Sequence, residues 1–87
     1  MMISDVFCGG GQWDNEIGWT LTCQGVDAPY VGDAPYRKTI TLVVPTTCVL
    51  VMTDAYGDGW NGASWSGLGH VFDMENGATK TVTLFVT

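Results

Sequence analysis

Asp54, Asp58 and Asn61 place three oxygen-bearing side chains within the segment DAYGDGWNGA, and Gly57, Gly59 and Gly62 lie among them. Glycine adopts positive φ without steric cost, so a loop of this kind can wrap a small ligand and turn its oxygens inward. Calcium takes about six to eight oxygens from carboxylates, amide side chains and backbone carbonyls, in flexible geometry, and this composition suits it. Magnesium demands stricter octahedral geometry and zinc wants His and Cys ligands at fixed spacing; neither pattern is present. The helix-flanked calcium loop is excluded, because its third and twelfth positions counted from Asp54 are Tyr56 and Trp65. The same residues also support a reading without any ligand. Asp and Asn would cap their own backbone, Asn61-Gly62 would form a tight turn, and Trp60 would pack into the core.

Other chemistry is thinly supplied. The single histidine, His70, has no Gly-x-Ser-x-Gly or zinc-helix motif beside it, and a Cys–His pair would have to be assembled in space. Asp54 and Asp58 could serve acid–base chemistry, but the glycines around them favour a metal loop or a turn. No catalytic residue is assigned, and the chain is expected not to be an enzyme. Trp13, Tyr30, Tyr36, Tyr56, Trp60 and Trp65 fall outside the clearest strands. Their rings are either ligand or partner contacts, Trp13, Tyr56, Trp60 and Trp65 foremost, or covers for the open end of a small core. The first option admits a calcium-dependent carbohydrate-binding module as the alternative function, with a glycan as partner.

The elements that must position these residues read as strands. Residues 16–23 (EIGWTLTC) alternate, with Ile17, Trp19, Leu21 and Cys23 on one face. Residues 24–36 hold two Ala-Pro-Tyr triplets among Gly and Asp and read as a long loop. KTITLVV (38–44) and TCVLVMTD (47–54) are β-branched and alternating, with Pro45-Thr46 predicted to turn them into a hairpin. GHVFDM (69–74) and TKTVTLFV (79–86) flank Asn76-Gly77, a second hairpin signal. The pattern predicts an all-β fold, a small antiparallel β-sandwich of jelly-roll type with five or six strands. Residues 1–87 form a single domain, in which 1–11 reads as an extended arm on the hinge Gly9-Gly10-Gly11, able to pair with a neighbouring sheet edge.

A domain of 87 residues buries a small core, and such domains are commonly reinforced by a disulfide, a metal or a partner subunit. Hydrophobic residues are 46% of the chain, with four Trp, so it should fold rather than remain disordered. Nine acidic residues against three basic ones give a net charge of −6, which repels phosphate backbones and anionic lipid and excludes nucleic acid as a partner. No apolar run approaches the roughly 20 residues of a membrane-spanning helix, so membrane insertion is not expected. The opening MMISDVFCGGG has neither a basic start nor an apolar stretch, and does not read as a signal peptide. Among Cys8, Cys23 and Cys48 any one pairing is open; a bond between Cys8 and Cys23, permitted by the glycine hinge, is the expectation set against three buried reduced thiols.

EIGWTL (16–21) and DAYGDGWNGA (54–63), with a strand entered by Cys48 before the second, resemble a repeat module of secreted ciliate, algal and marine bacterial proteins, which carries the words E-I-x-W-x-L and D-x-x-G-D-G-W-N-G. The second word matches over nearly all of its ten residues, and the two bracket about half the chain. The resemblance implies a small extracellular β-sandwich with calcium on the Asp-rich loop. By position it implies Asp54, Asp58 and Asn61 as metal-loop residues and Glu16 as a fourth ligand. In the module a second cysteine often stands two residues before a proline, where this chain has Val43, which leaves Cys48 without a partner. A single copy opening on its own Met suggests a structural subunit of an extracellular or particle-surface assembly, a filament or virion, whose partners are other proteins or further copies of itself.

Overall fold

A computed structural model describes residues 2–11, 17–25, 29–34, 36–55, 57, 59–60, 62–74 and 77–86. Period-two burial runs through the chain and sets its architecture: β2 (Ile17–Cys23) and β5 (Thr46–Asp54) bury alternate residues from end to end. With β1 (Met2–Gly9), β3 (Tyr30–Asp33), β4 (Tyr36–Leu42), β6 (Ser64–Gly67), β7 (His70–Phe72) and β8 (Thr79–Val86), they form two four-stranded sheets, ordered β4-β1-β6-β7 and β3-β2-β5-β8. Every pairing between these strands is antiparallel. Among the described residues no helix is long and apolar enough to cross a membrane.

The strand orders bear out the jelly-roll expectation. Counted round the chain from β7, through β8 and β1 to β6, the sheets read first-eighth-third-sixth and second-seventh-fourth-fifth, the interleaving of a double Greek key. β1 therefore stands where a jelly roll has its third strand. Antiparallel sheets that each bury one face must stack, and the buried residues of the two meet between them. Val6, Cys8, Ile40, Leu42 and Trp65 come from one sheet, and Trp19, Leu21, Leu50, Met52 and Leu84 from the other. Trp19 bridges the layers edge-on, its ring centroid 4.9 Å from that of Tyr36 and 5.9 Å from that of Trp65. Its indole lies across Gly32 and its Nε1–H donates to the Asp33 carbonyl at 3.1 Å.

Among the described residues eight strands form where five or six are expected, and the additions fall on stretches whose local signals point elsewhere. Residues 2–9 are not an arm but a central strand of the molecule's own sheet, paired with β4 over Met2–Cys8 and with β6 over Phe7–Gly9. Exposed Ile3 and Phe7 obscure the alternation that buries Val6 and Cys8. β3 lies within the stretch read as a loop, because β2 offers a pairing edge that outweighs its Gly and Asp. Neither hairpin forms. β4 pairs with β1 and β5 with β2 and β8, so the chain crosses between sheets at 43–45, where the Val44-Pro45 bond is cis. β7 pairs with β6 and β8 with β5; of the second turn signal, Asn76 lies outside the described residues. Turn chemistry marked the breaks correctly but could not say which sheet the chain enters next.

Candidate functional site

The Asp-rich segment stands at one end of the sandwich. The β2–β5 register sets Asp54, the last residue of β5, opposite Ile17, on the inward side of the sheet, where it is 5% exposed. Burying a carboxylate is costly unless its charge is met. From there the backbone turns sharply: Gly57, Gly59 and Gly62 take φ of 74°, 88° and 95°, values that strain any residue with a Cβ.

Backbone hydrogen bonds fasten this loop on one side. The N–H groups of Asp54, Gly59 and Trp60 donate to the carbonyls of Ala78, Gly77 and Met74 at 2.9, 3.1 and 2.7 Å. Within the loop, Gly57 N–H donates to the Asp54 carbonyl at 3.3 Å and Ala63 N–H to the Trp60 carbonyl at 3.0 Å. On the other side the loop meets Gly11. A Cβ there would lie 2.7 Å from Ala63 N and 2.9 Å from the Trp60 carbonyl oxygen. Gly11 is thus a site of close backbone approach. Gly11, Met74, Gly77 and Ala78 are the contributors that sequence reasoning missed, and the three consecutive glycines were the available signal.

Trp60 and Trp65, expected from the sequence as contact residues foremost, are instead buried. They are 1% and 0% exposed, because each ring fills the space between the sheets. Trp60 Nε1–H donates to the Thr53 carbonyl at 3.0 Å, which pins the loop to the strand that precedes it. Trp65 stacks on Phe72 with centroids 6.3 Å apart, and its Nε1 is buried with no hydrogen-bond partner among the described residues. Asp58, Asn61 and Glu16, the remaining metal candidates, and Trp13 and Tyr56, the remaining contact candidates, lie outside the described residues. Among the described residues no three His, Cys, Asp or Glu side chains gather as a metal group.

The cysteines correct a second expectation. The disulfide joins Cys23 to Cys48, not Cys8 to Cys23, and Cys48 has a partner after all. Register explains it, since β2 and β5 set Cys23 directly opposite Cys48 with both side chains inward. Cys8 retains its thiol in the other sheet, 0% exposed. The disulfide lies at the end of the sandwich opposite Asp54. There Gln24 N–H donates to the Thr47 carbonyl at 3.0 Å, and the Thr46 hydroxyl to the Gln24 carbonyl at 3.1 Å. His70 is exposed at the start of β7, its ring stacked on Phe72 with centroids 5.7 Å apart. No protein-family model, no curated protein and no solved structure matches this chain.

Proposed function

We propose that this chain is a non-catalytic interaction module, a β-sandwich stiffened by a calcium ion on the 54–63 loop, which serves as a subunit of an extracellular or particle-surface assembly. The observation that carries this reading is a buried carboxylate residue, Asp54, at the mouth of a glycine-turned loop that is fastened by Trp60 and by the backbone carbonyls of Met74, Gly77 and Ala78. A cation with oxygen ligands fits that chemistry, with Asp54 holding it and Asp58, Asn61 and Glu16 as the further ligands that the sequence suggests. Such an ion would bind the folded chain and not the unfolded one, adding RT ln(1 + [L]/Kd) to stability.

The remaining parts of the reading have their own support. The Cys23–Cys48 bond suits an oxidising compartment. The Cys8 thiol is sealed in the core, where it can reach no substrate, and the burial of Trp60 and Trp65 removes two of the rings on which a sugar would stack. Calorimetric titration of calcium into chelator-stripped protein tests the metal. Saturable binding at one site, abolished in Asp54→Asn with the fold intact, is expected; a wild-type titration without binding heat, together with unchanged near-ultraviolet dichroism, overturns it.

A further inference from the structure

An assembly needs a surface, and the edges of this sandwich are poor ones. Both long edge strands carry a lysine at an inward-pointing position: Lys38 of β4 stands opposite buried Val6, and Lys80 of β8 opposite buried Met52. An inward charge on an edge is a device that blocks addition of another strand. The other edges, β3 and β7, have four and three residues, too short to template much pairing. Two of the chain's three basic residues are spent in this way.

The outer face of sheet β3-β2-β5-β8 differs in kind. Its cross-strand rows read Val31–Thr20–Val51–Thr81, Thr22–Val49–Thr83 and Thr47–Phe85. Val31 and Phe85 are 66% and 74% exposed. Asp33, at one margin opposite Gly18, is the one charged residue on this face among the described strands. The opposite outer face carries Arg37 and Asp5, and the Asp5 carboxylate accepts from Thr39 at 2.6 Å. On a body of net charge −6, a nearly uncharged face is where two copies can approach without setting like charges against each other. Phe85 also borders a hollow of about 290 Å³ lined by Gln24, Pro45, Thr46, Thr47 and Val86. A knob beside a hole can serve both members of a twofold pair, as an isologous contact requires.

We infer that a second copy of this chain docks face to face on the outer surface of β3-β2-β5-β8, with Phe85 as its anchor; the inference rests on the self-assembly reading above and names its surface. Strands spaced about 4.8 Å apart and rising about 3.3 Å per residue give a face of roughly 19 by 25 Å. Two such faces in contact cover about 1,000 Å² in total, the lower limit of a specific interface, so the dimer is weak and concentration-dependent. Salt strengthens it by screening the repulsion between the two acidic bodies.

Sedimentation velocity on the intact, disulfide-bonded protein, from about 10 µM to 1 mM, tests the inference. Wild type is expected to shift toward twice its monomer mass as concentration rises, and to do so earlier in high salt. Phe85→Lys with Thr83→Lys, both at exposed positions, is expected to remain monomeric at the same melting temperature, while Ile3→Lys on the opposite face behaves as wild type. If wild type associates and the Phe85/Thr83 variant associates equally well, the face is wrong and self-assembly stands. If wild type remains monomeric throughout, the self-assembly reading falls, and this inference falls with it.

Discussion

At one end of the sandwich β2 and β5 are joined covalently, Cys23 to Cys48. At the other, the described pairing of the same two strands ends at Ile17 and Asp54, and the chain beyond Asp54 is rich in glycine. The disulfide end is held by one strong constraint and a few hydrogen bonds around Gln24, Thr46 and Thr47. The loop end is held by many weak ones: a seated tryptophan, five backbone hydrogen bonds and a glycine-to-backbone contact at Gly11. A domain this small gains little margin from its core. Fixing both ends of its central strand pair secures the register on which every buried residue depends. The loop end lacks a covalent constraint, and a bound ion would supply its equivalent.

Removing the loop's anchor should test that contrast most severely. Trp60→Ala empties a fully buried site and leaves the Thr53 carbonyl without its donor, which should cost about 3–5 kcal/mol and lower Tm by on the order of 15 °C or more, measured by circular dichroism. Cys23→Ala with Cys48→Ala opens the other end. With the cysteines 25 residues apart, the chain-entropy model gives a loss of about 3.5 kcal/mol, readable from urea unfolding, with m rising as the unlinked denatured chain exposes more surface. If this pair of substitutions proves neutral, the disulfide end owes its order to packing and the contrast between the ends disappears. Gly11→Ala should follow, at about 1–3 kcal/mol, because the added methyl meets backbone that cannot yield without opening the loop. Thr46→Val is the gentlest, about 1 kcal/mol for a single hydroxyl bond to the Gln24 carbonyl.

The same comparison shows what could be read beforehand. Strands β2, β5 and β8 were legible because each buries one face of a partly solvated sheet and therefore alternates cleanly. β1 was not, because Ile3 and Phe7 project outward as apolar residues and fill the positions where polarity would have shown the pattern. Sheet membership was hidden as well. In a jelly roll, sequence neighbours such as β4 and β5 belong to opposite sheets, so strong local turn signals mark crossings rather than hairpins. The disulfide was recoverable in principle, since Cys23 and Cys48 close the apolar faces of Trp19-Leu21-Cys23 and Cys48-Leu50-Met52, but only once β2 is known to pair with β5. The loop's composition singled out Asp54 as a ligand and left Trp60 open between contact and core; both are buried. The backbone the loop rests on, Gly11, Met74, Gly77 and Ala78, is assembled from distant segments, and only the glycine run at 9–11 hints at it.

Thermal melting of the disulfide-bonded protein in excess calcium and in chelator, with wild type and Asp54→Asn side by side, bears most directly on the claim that an ion secures the glycine-rich end. At calcium near 100 times Kd, wild type should gain about 2.7 kcal/mol, or roughly 10–20 °C for a domain of this size, whereas Asp54→Asn should melt at the same temperature in both conditions. Superimposable wild-type curves with and without calcium would contradict the account and leave the loop a purely hydrogen-bonded turn.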